Sequence, residues 1–138
     1  MAKENGLAWT TFTVEDSGGT TARDIRNDIG NFTLSTPRGV QDVTGLDKSA
    51  YERILLLADA SVNLNGFFND ASNLSHDVFK TVSSSSVARD TVITVSGQSL
   101  PLNLLFTDYA LTRSAAGELT WTTTGVLADG TVPTWTTV

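Results

Sequence analysis

The stretch Ala58-Asp-Ala-Ser-Val-Asn-Leu-Asn-Gly-Phe-Phe-Asn-Asp-Ala-Ser-Asn-Leu-Ser-His-Asp-Val-Phe79 decides how the rest of the chain is read. Its first half alternates. Ala60, Val62 and Leu64 are apolar, and Ser61, Asn63 and Asn65 between them are polar. A period of two marks a strand with one buried face. Gly66-Phe67-Phe68 ends that strand, and Asn69 or Asp70 can accept the first free amides of a helix. Across the helix, expected at about residues 70–81, Leu74, Val78, Phe79 and Val82 fall on one apolar face. Most of the remaining sequence reads as strands. The expectation is a mainly β, sandwich- or barrel-like domain with one flanking helix that covers an open side of the sheet.

Composition narrows the function classes. The chain has 138 residues, the size of one domain, and a domain that long buries enough surface to hold a core without staples. It has no cysteine, which excludes disulfides and thiol chemistry. The net charge of −6 disfavours tight nucleic-acid binding, which needs Lys and Arg to neutralise phosphates. No apolar signal region opens the sequence and no run approaches the length of a membrane span, so the expectation is a soluble protein made in the cytosol that binds no membrane.

Outward from the central stretch, Leu7 to Val14 reads as a first strand carrying Trp9 and Phe12, and Glu15 to Thr21 as a flexible polar loop. Ile25 and Ile29 are odd-numbered, whereas Phe32 and Leu34 are even-numbered. The phase flips at Gly30, which favours a β-bulge there over a hairpin turning at Asn27-Asp28. Pro37-Arg38-Gly39 breaks the strand. Ser49 and Glu52 form a possible capping box, and with Tyr51, Ile54, Leu55 and Ala58 they support a short helix at 49–57, although Ile54 to Leu57 could instead begin a strand. Ser83 to Ser86 is a linker, Val87 to Ser96 a strand, and Gly97-Gln98-Ser99 a turn. Leu102–Arg113 and Glu118–Thr124 flank Ser114-Ala-Ala-Gly117 as a hairpin in which Arg113 faces Glu118.

Candidate chemistry is sparse. His76 is the lone histidine and is expected on the helix surface, since no set of zinc ligands accompanies it. Asp24 with Asp28, or Asp70 with Asp77, lack a partnered acid or base. Gly18-Gly19 is too short for a phosphate cradle, and Asp42 to Asp47 lacks the ligand pattern of a calcium loop. Trp9, Trp121 and Trp135 read better as core and interface anchors than as a sugar platform. No catalytic residue, metal or cofactor is expected.

Four pieces of the chain together resemble the tail tube protein (major tail protein) of long, non-contractile-tailed bacteriophages. They are Ala22-Arg-Asp-Ile-Arg26; Gln41-Asp-Val-Thr44 with Lys48-Ser-Ala-Tyr-Glu-Arg53; the central Asp59 to Asp70 with His76-Asp-Val-Phe79; and Leu105-Phe-Thr-Asp-Tyr109 with Ala116-Gly-Glu-Leu-Thr-Trp121. The resemblance spans about residues 22–126. It departs after Thr44, where Gly45-Leu46 stands in place of an aromatic and a glycine.

The resemblance implies a ring-forming β-sandwich related in fold to type VI secretion tube proteins. Six copies close a ring, and rings stack into the tube that conducts DNA into the host. Its partners would be further copies of itself, the tape measure, tail terminator and baseplate or distal tail proteins, with DNA passing without specific binding. The place would be the virion tail, assembled in the host bacterial cytoplasm. Ser61, Asn63, Asn65, Thr120, Thr122 and Thr124 are the expected lumen-facing residues. Ser17, Gly18, Gly19, Pro37, Arg38, Gly39 and Asp47 are expected in loops between subunits or rings. Other virion parts, such as a head decoration or tail terminator protein, are the alternative.

Overall fold

A computed structural model describes Lys3 and residues 5–138. The strands are β1 (Trp9–Glu15), β2 (Ala22–Asp24), β3 (Ile29–Ser35), β4 (Arg38–Asp42), β5 (Arg53–Ala58), β6 (Ser61–Phe67), β7 (Arg89–Val95), β8 (Gln98–Arg113), β9 (Leu119–Leu127) and β10 (Thr136–Thr137). One α-helix, α1 (Ser75–Phe79), and a 3-10 turn at Arg26–Asp28 complete the described elements. All strand pairs are antiparallel, and the main sheet runs β2-β1-β7-β8-β9-β6-β3, with β10 on β8.

This sheet folds back on itself through β8, whose 16 residues serve two layers. Gln98–Leu104 pairs with β7, and Leu104–Arg113 pairs with β9. One layer is therefore β2-β1-β7 with the first half of β8, and the other is the second half of β8 with β9, β6 and β3. Their facing side chains make the core: Phe12, Val14, Ile93, Leu100 and Leu102 from the first layer, Val62, Leu64, Phe106 and Trp121 from the second. The Phe12 and Phe32 rings, 5.1 Å apart edge to face, join the far ends of the sheet across that core.

A sandwich of this kind has two open sides. On one side, where β7 stops at Arg89, α1 fills the gap. Phe79 sits with its ring 5.1 Å from Phe106 and 5.3 Å from Trp121, and Val78 is fully buried beside it. The apolar face expected from the sequence is the one that packs. The helix itself is shorter than residues 70–81. Asn73 adopts a left-handed backbone (φ 67°), which turns the chain just before Leu74 and prevents an earlier start. Neither the Asn69 nor the Asp70 side chain caps it: the Asn69 backbone carbonyl accepts the His76 N–H at 3.2 Å, and a side-chain acceptor comes from afar, from Asp28, whose Oδ2 accepts the Ser75 N–H at 3.0 Å. At the other end, the buried Arg89 guanidinium donates to the Val78 carbonyl and to Thr81 Oγ1. Burial pushes the Arg89 pKa down, and Asp16 and then Glu15 oppose this.

The strand register shifts between Ile29 and Asn31 where β3 meets β6, so the phase flip at Gly30 is a bulge. Asn27 and Asp28 lie in the 3-10 turn that leads into it. The β7–β8 turn is Ser96-Gly97, both with positive φ (47° and 77°), which is the two-residue turn whose twist suits a hairpin. Gln98 and Ser99 accordingly belong to β8, not to the turn. In the β8–β9 hairpin Arg113 lies opposite Leu119, not Glu118, because the loop closes through the Ser114 N–H on the Glu118 carbonyl.

The helix expected at 49–57 is absent. Residues 53–58 are β5, paired with β4 in a separate two-stranded ribbon. The capping box cannot form, because the Glu52 N–H is taken by Thr44 Oγ1 at 2.8 Å and its carbonyl by the Val43 N–H. Ser35 pairs with Ser61 and Arg38 with Ala58, so β4–β5 prolongs the β3–β6 hairpin past the body of the sandwich as an arm.

Candidate assembly surfaces

The outer face of the β9 layer is a polar ladder. Along it, Asn31, Asn65, Thr122 and Ala110 form one cross-strand row, and Thr33, Asn63, Thr124 and Asp108 the next. Side chains are linked across strands. Thr122 Oγ1 donates to Asn65 Oδ1 at 2.9 Å, Asn65 Nδ2 to Asn31 Oδ1 at 2.8 Å, and Thr124 Oγ1 to Asn63 Oδ1 at 2.8 Å. Ser61 and Thr120 extend the same face at its two ends, opposite Val126 and Phe67 respectively. All six residues singled out in the sequence thus share one surface, because alternation commits their neighbours Val62, Leu64, Trp121 and Thr123 to the core. Sequence reading missed Asn31, Thr33 and Asp108, which the register adds. No Lys or Arg lies on these rows.

Both edges of this layer are unpaired among the described residues. β3 bonds only to β6, and Leu105–Arg113 of β8 bonds only to β9. Unpaired edges present rows of free N–H and C=O groups that template a further strand.

The second surface is the arm. Ile54, Leu55, Leu56 and Leu57 are 51, 58, 44 and 90% exposed, and Val40, Val43, Leu46 and Tyr51 are exposed with them. Arg38, Asp42 and Arg53 make contacts within the arm. The Arg38 guanidinium donates to the Leu56 carbonyl, Asp42 accepts from Thr44, and the Arg53 guanidinium lies 4.6 Å from the Tyr51 ring centre. Pro37 sits at the arm's base, where its carbonyl accepts the Asp59 N–H, and Arg38 and Gly39 lie in β4. Asp47 belongs to the segment joining β4 to β5. Arg38 and Gly39, expected in a loop, are therefore part of a strand in an apolar ribbon. The run Ile54 to Leu57 was the available signal, and a helical spacing masked it.

Ser17, Gly18 and Gly19 lie in a hydrogen-bonded turn. Asp16 Oδ1 accepts from the Gly18 and Thr20 amides, and these bonds hold its pKa below the usual carboxylate value, that of Thr20 contributing most. A side chain at Gly19 would collide with Val87.

The third surface is the side of the sandwich that no helix covers among the described residues. Between β1 and β3 lies a cavity of about 1010 Å³ lined by Leu7, Trp9, Phe12, Ile29, Phe32 and Leu34, with Asp24 and Arg26 at the rim. The Trp9 ring meets Phe32 edge-on at 4.8 Å.

The candidate chemical groups are dispersed. His76 lies on the helix and is half-buried, because Phe68 and Tyr109 flank its ring. Its Nδ1 is 3.1 Å from the Tyr109 hydroxyl, and its ring is 4.8 Å from Phe68. Asp28 is buried and spent on the helix cap, whereas Asp24 pairs with Arg26 and Asp77 with Lys80. Trp121 is buried with Nε1 donating to the Phe67 carbonyl, Trp9 lines the cavity and Trp135 is exposed, so the three tryptophans form no common platform. Among the described residues no three His, Cys, Asp or Glu side chains gather as metal ligands, and no helix is long and apolar enough to cross a membrane.

No protein-family model and no curated protein matches the chain. Solved structures do. The tail of an empty gene transfer agent particle, a helical assembly with C6 symmetry, contains a chain similar at a TM-score of 0.73 and 16% identity, covering 99% of both chains. A chain from the virion of a native gene transfer agent particle is similar at 0.71 and 17% identity, covering 97% of this chain and 99% of that one. At such identities the likeness establishes the fold alone: a mainly β sandwich with one flanking helix, shared with a chain of the gene transfer agent particle.

Proposed function

We propose that this chain is a structural virion protein, a single tail tube domain over residues 1–138 whose rings stack into the tube that carries DNA. One observation carries the reading: the β9 layer has a polar outer face and two free edges. Its strands alternate in direction, so the free segment of β8 on one copy meets β3 of the next in antiparallel sense, and each copy added repeats the same junction. Such a head-to-tail contact closes into a ring when the rotation permits. Closure also removes the edges that would otherwise invite aggregation.

Six copies, as in the C6 tail whose chain shares this fold, would turn the polar ladder toward a common lumen. Ser61, Asn63, Asn65, Thr120, Thr122 and Thr124 then line it, with Asp108 as its charged residue. Short neutral side chains without Lys or Arg offer phosphates no cation to neutralise them, so DNA is held only weakly and slides. Tape measure, terminator and baseplate proteins would meet the tube at its bore and ends, and the product would reside in the virion tail after assembly in the host cytoplasm.

Electron microscopy of the purified protein tests this. Open-ended tubes support it. Trimers or isolated rings that never stack would favour a head decoration or terminator protein instead. A high-resolution reconstruction with Asn63 and Thr124 away from the bore would reject the lumen assignment.

A further inference from the structure

Asparagine followed by glycine occurs twice in the chain, at Asn5-Gly6 and at Asn65-Gly66. The pair has a chemistry of its own, because a glycine nitrogen, with no side chain to crowd it, can attack the carboxamide carbon of the residue before it. The fold puts the two pairs in opposite situations. Asn65 lies in β6, between β3 and β9, with Oδ1 accepting Thr122 Oγ1 at 2.9 Å and Nδ2 donating to Asn31 Oδ1 at 2.8 Å. Gly66 is buried, with the Trp121 ring and the Asp28 carbonyl closed over it. An extended strand turns the Asn65 side chain out of the sheet, away from the next backbone nitrogen.

Asn5 and Gly6 are exposed and lie before β1. A Cβ at Gly6 would meet nothing within 4 Å, and among the described residues the Gly6 N–H donates to no acceptor. Asn5 Oδ1 accepts the Leu7 N–H at 2.9 Å, a turn that folds the carboxamide forward over Gly6. That contact brings the reacting groups together and sets an N–H donor on the oxygen where negative charge gathers during attack.

We propose that Asn5 is a site of spontaneous deamidation, promoted by this turn, and that the sheet shields Asn65 from the same reaction. Solvent base takes the Gly6 amide proton, and the nitrogen forms a bond to Asn5 Cγ while charge collects on Oδ1. The Cγ–Nδ2 bond then breaks, and Nδ2 leaves with a returned proton as ammonia. Water opens the resulting five-membered imide. Attack at Cγ gives aspartate, and attack at the Asn5 backbone carbonyl carbon gives isoaspartate, with the chain rerouted through Cβ. The sum is one water consumed and one ammonia released, with no oxidant. Either product makes the chain one unit more negative than its present −6. The new carboxylate stands at the mouth of the apolar groove that Gly6 and Leu7 help to line.

The two pairs report separately, because trypsin releases Asn5 in the peptide of residues 4–23 and Asn65 in that of residues 54–80. The wild-type chain is aged in neutral buffer made with heavy-oxygen water, once folded and once in urea, then digested in ordinary water and read by fragment mass spectrometry. Only conversion during ageing carries the heavy oxygen. In urea both pairs are expected to convert at similar rates. In the folded chain Asn5 should convert at least as fast as in urea, while Asn65 slows about tenfold or more, as groups do when only local opening exposes them. A folded chain in which Asn5 converts about tenfold more slowly than in urea shows that the turn protects the residue and overturns the site. Equal rates at Asn5 and Asn65 in the folded chain overturn the shielding by the sheet.

Discussion

The Asp28 carboxylate caps a helix 47 positions later in the chain, its Oδ2 accepting the Ser75 N–H at 3.0 Å while Oδ1 accepts Asn69 Nδ2 at 2.9 Å. Both groups it serves belong to the segment that closes one side of the sandwich. Asp28→Ala leaves a buried amide and the Asn69 side chain without acceptors, and each such loss costs about 1–3 kcal/mol. The expected result is a loss of about 2–4 kcal/mol in urea unfolding, with Asp28→Asn, which retains one acceptor oxygen, less affected. A change below 0.5 kcal/mol would mean the cap contributes nothing to holding α1.

Gly66 is where the second layer passes closest to its neighbours. A Cβ there would stand 2.5 Å from Trp121 Cζ2 and would also overlap the Asp28 carbonyl oxygen. Backbone cannot swing aside as a long side chain can, so Gly66→Ala is expected to cost about 3 kcal/mol, at the upper end for overpacking. Phe79→Ala, which empties the helix side of the same aromatic cluster, is expected to cost about 3–5 kcal/mol. Calorimetry of both checks whether α1 and the β6–β9 pair share one core. Unaltered melting of Phe79→Ala would separate them.

What could be read from the sequence followed the reach of its signals. Alternation at Ala60 to Asn65 gave the strand, its faces and therefore the polar ladder, because a strand's periodicity is local. The bulge at Gly30 was legible for the same reason. The cap was not, since Asp28 and Ser75 meet only after the sheet has folded. Nor was the arm. Ile54 to Leu57 has no alternation to reveal a strand, and periodicity alone does not tell a short continuous apolar strand from a buried helix segment. The groove needed the two ends of the sheet, Trp9 and Phe32, to be brought together.

Tyr109 gives the protein an alkaline limit. Burial raises its pKa above the ordinary 10.0, and the nearby Asp28 charge adds to this. The folded state thus holds that proton more tightly than the unfolded chain. The associated stability is complete below pH about 10 and is lost as pH rises through the folded value. Tyr109→Phe removes the hydroxyl that meets His76, costing about 1 kcal/mol at neutral pH. It should also flatten the decline in melting temperature above pH 10. Parallel declines in variant and wild type would show that another group sets the limit.

Removing the arm separates folding from assembly. Ser35 and Ser61 face each other at its base, so Arg38–Ala58 can be replaced by a short glycine-containing turn without disturbing the β3–β6 register. No core residue is lost, because every side chain from 38 to 57 is exposed or nearly so. The shortened chain should melt within a few degrees of wild type and give only free subunits or unstacked rings under conditions where the full chain forms tubes. Deleting Glu15–Thr21, by contrast, should destabilise the subunit, since Glu15 carries the Asp90 amide and Gly19 lies against Val87. If the arm-deleted chain still stacks into tubes of normal length in negative stain, the free sheet edges and the loops of the body carry assembly, and the exposed leucines of β5 need another explanation.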